Sequence, residues 1–191
     1  MKYRNKSLTL AIILIIILIL SSCAPTSETV KDKSIPELKL NWNEKDSESI
    51  SDTLILSSLG AEWNEKFPKS KKPIIVVGNI EDKSEDNIDV SLLAKNLERS
   101  LINSGEVSFI ASKEKREMIR ADRKNFEDFA DNDKFIKYMK PLKADFFMSG
   151  TIISQVDSSV APIRKKYELN VNIIYTKNAS VVWEGVQSIT K

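Results

Sequence analysis

The chain has 191 residues, a formal net charge of +2, one cysteine, 5 glycines and no histidine. That length suits one domain with a short appendage. The absent histidine excludes imidazole bases and His-bearing zinc sites, the lone cysteine excludes an internal disulfide, and the scattered glycines form no phosphate-cradling motif.

Lys2, Arg4 and Lys6 precede an apolar run from Leu10 to Leu20. The run is shorter than the roughly 20 residues of a spanning helix and reads as a signal peptide over 1–22. It leads into Leu20-Ser21-Ser22-Cys23, which resembles the lipobox of bacterial lipoproteins. That resemblance implies cleavage before Cys23 and attachment of diacylglycerol to its thiol, with acylation of the new amine. Two or three acyl chains, at about 0.8 kcal/mol per buried methylene, make a stable anchor where one is marginal. Removing residues 1–22 takes the formal charge from +2 to −1, so the basic balance of the precursor is no sign of nucleic-acid binding.

Residues 23–48 are polar, with few apolar residues and no sustained period, and are expected to form a flexible tether. A globular domain is expected over 49–191, with its core in 73–191. Ser51 starts a predicted helix with Leu54, Leu56, Leu59 and Trp63 on its apolar side. Gly60 weakens that helix, and Pro68 with the following lysine run ends it. Pro73 to Ile80 is a β-branched run expected to be a strand buried on both faces. After an acidic loop, Asp89 is expected to cap a helix with Val90, Leu93, Leu97 and Leu101 on one face and Gly105 at its stop.

Val107 to Ile110 reads as a second short strand. Ser112 is expected to cap a charged helix reaching about Phe129, with Met118, Ala121, Phe126 and Phe129 turned inward. Asp131 or Asn132 starts a short helix that Pro141 ends or kinks. A strand then runs from Asp145 to about Val156. Tyr167, Leu169, Val171, Ile173 and Tyr175 alternate with polar residues in a second, and Val181, Trp183 and Val186 mark a third. The expected fold class is α+β: a mixed sheet of four to five strands with a C-terminal antiparallel meander, flanked by helices.

Little in this pattern carries chemistry. Glu81, Asp82, Glu85, Asp86 and Asp89 crowd one loop, but the glycine of a calcium loop is missing, so they read as a solvated connection. Trp183 beside Glu184 reads as core packing. No nucleophile–base couple and no carboxylate pair with a positioned partner emerges, so no catalytic residue, metal ligand or cofactor is assigned. The densest basic feature is the segment Lys113 to Lys124. Arg116, Arg120 and Arg123 share a helical face there, which suits pairing along the helix or docking of an acidic partner.

From Lys72 onward the order of short motifs is more informative than any one of them. These are Lys72-Pro73-Ile74-Ile75-Val76-Val77-Gly78-Asn79-Ile80, Asp82-Lys83-Ser84 with Ile88-Asp89, and Leu101 to Ser112. Arg116-Glu117-Met118-Ile119-Arg120-Ala121-Asp122-Arg123, Ala144 to Gly150 and Val182-Trp183-Glu184-Gly185 complete the set. Together with the lipobox, this series resembles the LpoB family of penicillin-binding-protein activators. Two departures stand out: Lys143 where a glycine commonly precedes the Ala-Asp pair, and Lys177-Asn178-Ala179 where Thr-Gly is usual.

The resemblance implies a fold like the N-terminal domain of TolB and an outer-membrane anchor facing the periplasm. It implies no enzymatic activity, cofactor or small-molecule substrate. The implied partner is a class A penicillin-binding protein, whose glycan polymerisation and cross-linking the domain stimulates. Two alternatives are a lipoprotein of the same fold with an unrelated partner and a curli-export-like secretion component. The latter needs membrane-spanning strands that the loop Asp157 to Arg164 is too short to provide.

Overall fold

The computed structural model describes residues 40–110, 113–122, 131–159 and 161–191, with the side chains of 113–116 outside that set. All of them belong to one compact unit, Glu37–Lys191. The signal segment, Cys23, most of the expected tether, the Ser112 cap, Arg123, Phe126 and Phe129 lie outside the described residues.

Helix α1 spans Glu44–Leu59 and starts seven residues before the expected Ser51. A capping box sets this start. The Asn43 side chain accepts from the amides of Lys45 (3.0 Å) and Asp46 (3.3 Å), while the Asp46 carboxylate accepts the Asn43 amide at 2.8 Å. The buried stripe is Ser47, Ile50, Ser51, Leu54, Ile55 and Ser58. Half of it is serine, so 43–48 look like tether to a hydrophobic-period reading. Leu56, expected on the apolar side, is 73% exposed. After Gly60, the single turn α2 (Glu62–Glu65) turns Trp63 inward.

Strand β1 (Ile75–Asp82) is buried on both faces, as expected for a parallel strand between helical layers. In the acidic loop that follows, Asp82 accepts from the Ser84 amide (2.8 Å), the Ser84 hydroxyl (2.6 Å) and the Ile88 amide (2.7 Å). Helix α3 (Val90–Ser104) begins at the Asp89 cap and stops at Gly105, whose φ of 69° is left-handed. Its Leu93, Leu97 and Leu101 are fully buried.

The expected strand at Val107–Ile110 reduces to one parallel bridge, Ser108 to Ile74. The Ser108 amide donates to the Pro73 carbonyl (2.8 Å) and the Ile75 amide to the Ser108 carbonyl (3.3 Å), while the Ile74 carbonyl, on the other side of the strand, accepts from Asp145 (2.8 Å) and Phe146 (3.0 Å) at the start of β2. Helix α4 (Lys113–Asp122) buries Ile119 and leaves Met118 and Ala121 exposed, against expectation. Helix α5 (Asn132–Met139) is capped by Asp131 and buries Phe135 and Met139; a 3-10 turn, Lys140–Leu142, carries Pro141.

Strands β2 (Phe146–Asp157), β3 (Arg164–Tyr175) and β4 (Ser180–Thr190) complete a four-stranded sheet of order β1-β2-β3-β4. The first pair is parallel and the other two are antiparallel. This is the expected α+β fold: a mixed sheet with a C-terminal meander. One face carries Met148, Ile152, Tyr167, Leu169, Val171 and Ile173 into a core shared with α1 and α3. The other packs Val76 and Phe147 against Ile119, Phe135, Met139 and Leu142. Gly78 is required there, since a Cβ would sit 2.0 Å from the Phe147 ring. Trp183 packs on the first core, whereas Val181 and Val186 are 48% and 60% exposed. The register shifts between Ile173 and Ile174, beside Val182.

Candidate functional site

Among the described residues there is no cluster of metal-ligating side chains and no helix long and apolar enough to cross a membrane. Two charge pairs are largely buried: Lys191 with Asp46, and Asp86 with Lys165, which ties the acidic loop to the start of β3. Burial pulls the Asp86 carboxyl up, but the Lys165 ammonium and the neighbouring Tyr167 hydroxyl outweigh it and hold it below the usual aspartate value. That hydroxyl donates to the Leu40 carbonyl at 3.0 Å. Burial, with the Asp86 carboxylate beside it, raises its pKa. The Trp42 ring meets the Tyr167 ring at 5.1 Å, tilted by 57°. These contacts fix where the chain enters the domain; none exposes a reactive group to a cleft.

The arginine helix is α4. Arg116 lies on it with its side chain outside the described set, and Arg123 follows beyond the described residues. Arg120 is partly exposed, and its guanidinium meets Glu98 of α3 at 2.9 Å. Its partner is therefore on a neighbouring helix, not Glu117 or Asp122 of its own. Between α3, α4 and β1 lies a hollow of about 380 Å³, lined by Val77, Ile102, Phe109, Ile110 and Ile119 and bordered by the Arg120–Glu98 pair.

A second feature escaped the linear reading. At the end of the sheet where β1 and β2 begin and β3 finishes, Trp63, Phe67, Phe146 and Tyr175 form an aromatic cluster. Trp63 meets Phe146 at 4.9 Å, Phe67 meets it at 5.7 Å and Tyr175 at 5.5 Å. It floors a groove of about 460 Å³ bordered by Lys66, Lys71, Lys177 and Val182. Lys71 lies 4.9 Å from the Phe67 ring centre, and Lys177 lies 5.6 Å from that of Tyr175.

Two hollows adjoin this groove. One shares Lys71 and adds Lys69 and Lys72; the other shares Asp145 and Lys177 and adds Lys140 and Lys143. Three separate segments thus bring seven lysines to one end of the domain. The accompanying carboxylates are Glu62, Glu106 and Asp145. Glu62 pairs with Lys66 at 2.6 Å, and Asp145 accepts the Ile74 amide at 3.0 Å.

The described residues of this groove offer ammonium groups beside an apolar floor, with no nucleophile–base couple among them. The peptidoglycan-synthase activator LpoB family model matches residues 46–189. The chain belongs to this family. Its members are described as peptidoglycan-synthase activators. Among solved structures, the LpoB C-terminal domain of Salmonella enterica is similar with a TM-score of 0.53 at 12% identity, over 75% of this chain and 98% of that one. The corresponding domain of Escherichia coli gives 0.53 at 11%, over 76% and 99%. The NMR structure of Escherichia coli LpoB gives 0.51 at 12%, over 75% and 66%. At these identities the likeness shows the fold. No curated protein matches the chain in sequence.

Both departures from the family pattern fall on strained backbone. Lys143, in place of glycine, has φ 55°, and Ala179 has φ 55° in the β3–β4 turn. Both occupy the left-handed region that a glycine enters without steric cost.

Proposed function

We propose that this protein is a lipid-anchored activator of a class A penicillin-binding protein, held by Cys23 at the outer membrane and facing the periplasm. The family match over 46–189 carries the reading. The lipobox at Leu20–Cys23 supports the anchor, and the lack of a catalytic constellation among the described residues accords with a partner that works by docking. Binding energy at the interface favours the synthase conformation to which the domain binds more tightly, so stimulation needs no chemistry in the activator itself. Arg116 and Arg120 on α4, with Arg123 next in sequence beyond the described residues, are one proposed contact.

The test is a reconstituted polymerisation assay. The full chain in detergent is added to a purified class A penicillin-binding protein from the same bacterium, and glycan synthesis and cross-linking are followed. Stimulation that saturates with activator supports the reading. Unchanged rates and no complex by sedimentation refute it.

A further inference from the structure

We propose that the lysine-rich end of the domain is its principal docking surface, and that its occupant is an acidic segment of the partner protein carrying an apolar side chain. This rests on the reading that the domain acts by docking onto a synthase.

The charge distribution is the first argument. At the opposite end four of the five lysines pair within the domain: Lys83 with Glu81 (2.8 Å), Lys165 with Asp86, Lys166 with Glu168 (2.7 Å) and Lys191 with Asp46, with Lys45 the exception among the described residues. At the lysine end the balance differs. Lys66 is matched by Glu62, and Lys71 lies only within 3.7 Å of Asp145. Lys72, Lys140, Lys143 and Lys177 join no ion pair among the described residues. The mature chain is near neutral, so this excess is local, and it supplies a field that steers an acidic surface.

Groove chemistry selects among anionic and polar occupants. Phe67 and Tyr175 are half-buried, and with the 36% exposed Val182 they offer an apolar floor between ammonium groups. An apolar side chain flanked by carboxylates matches both features at once. A neutral sugar would need carboxylate or amide groups around the rings to hold its hydroxyls, and the two carboxylates bordering the groove, Glu62 and Asp145, are already engaged. The floor is also continuous with β4, whose Ser180–Thr190 forms the edge of the sheet, so an extended segment meets backbone as well as side chains.

Two probes test the proposal. The first is a glutamate-rich hexapeptide with one phenylalanine, titrated into the isotope-labelled full chain in detergent. It should shift the amide signals of Phe67, Lys71, Tyr175 and Lys177. Its affinity should fall at least tenfold in Lys72→Glu/Lys140→Glu/Lys177→Glu and again between roughly 50 and 500 mM salt. Lys71→Gln with Lys177→Gln introduces no new repulsion and should weaken binding in the same direction. Peptide that leaves these signals unmoved, binds the folded variants equally, or is outcompeted by a neutral chito-oligosaccharide overturns the proposal.

The second probe is the class A penicillin-binding protein. The triple-lysine variant should bind at least tenfold more weakly, and more weakly than Arg116→Glu/Arg120→Glu. If the chain binds the synthase and the triple variant binds it equally well, the lysine end is wrong and the activator reading stands. If the chain binds no synthase while the peptide maps to the lysine end, the acidic-segment site stands and the activator reading fails.

Discussion

Lys143→Gly should stabilise the domain, an unusual outcome for a substitution that removes a side chain. Lys143 follows the 3-10 turn Lys140–Leu142 with φ 55° and ψ 29°, inside the left-handed region. An L-residue there places Cβ against its own carbonyl at a cost of roughly 1–2 kcal/mol. Glycine removes that strain but widens the unfolded ensemble, returning about 0.4–1 kcal/mol. The side chain is exposed and pairs with no carboxylate among the described residues, and the backbone bond from its amide to Lys140 O (3.3 Å) survives the change. The net expectation is a gain of about 0.5–1 kcal/mol, or about 1–4 °C in the thermal midpoint for a domain of ~150 residues. Differential scanning calorimetry of the full chain checks it. Lys143→Ala separates strain from charge, because it loses the ammonium and keeps the left-handed Cβ. A midpoint for Lys143→Gly at or below wild type, or a gain equalled by Lys143→Ala, refutes the reasoning.

Cys23→Ala should leave an unprocessed precursor or a released soluble form in fractionated cells, since no other cysteine exists to take the lipid; a processed, membrane-bound variant would falsify the anchor. Leu169 is fully buried in the main core, so Leu169→Ala should cost about 2–5 kcal/mol by urea denaturation. Leu56→Ala, at a 73% exposed position, should fall within about 0.5 kcal/mol of wild type, and a reversal of that order means the helix face is misassigned. Asp86 has a folded pKa below its unfolded value, so its contribution is complete above the unfolded pKa near 4 and is lost as pH falls through the folded one. The gap in thermal midpoint between wild type and Asp86→Asn should therefore be constant from about pH 5 to 7 and close below about pH 4; a gap that widens on acidification contradicts the sign.

What the sequence disclosed and what it hid follow from how the information is distributed along the chain. The alternation at Tyr167, Leu169, Val171 and Ile173 is local, and so is the Asp89 cap with its leucine stripe, and both elements formed where that pattern put them. Helix α1 was legible only in part, because serines fill half of its buried stripe and its start depends on a capping box within a run that composition alone reads as tether. Burial on the arginine helix differs from the expectation: among its described side chains Ile119 faces in, while Met118 and Ala121 are exposed. The lysine end could not be read at all, since its residues come from 66–72, 140–143 and 177 and meet only when β1, β2 and β3 align their ends. The glycine substitutions carried a usable signal. Departures from the family pattern at Lys143 and Ala179 mark the two strained turns flanking that same end, and Ala179 packs on the second core while Lys143 borders the lysine hollows.

The position of chain entry bears on how a domain proposed to act by docking could regulate an enzyme. Trp42 and Leu40 contact Tyr167 near the start of β3, and the lysine end begins at Thr176, nine residues on. At about 3.4 Å per residue, the two lie roughly 30 Å apart along the sheet. Long-range lysine attraction, with a short aromatic floor to fix register, suits reversible docking better than a large dry interface: encounter is fast, release is possible, and each engagement lasts only as long as the synthase conformation that fits it.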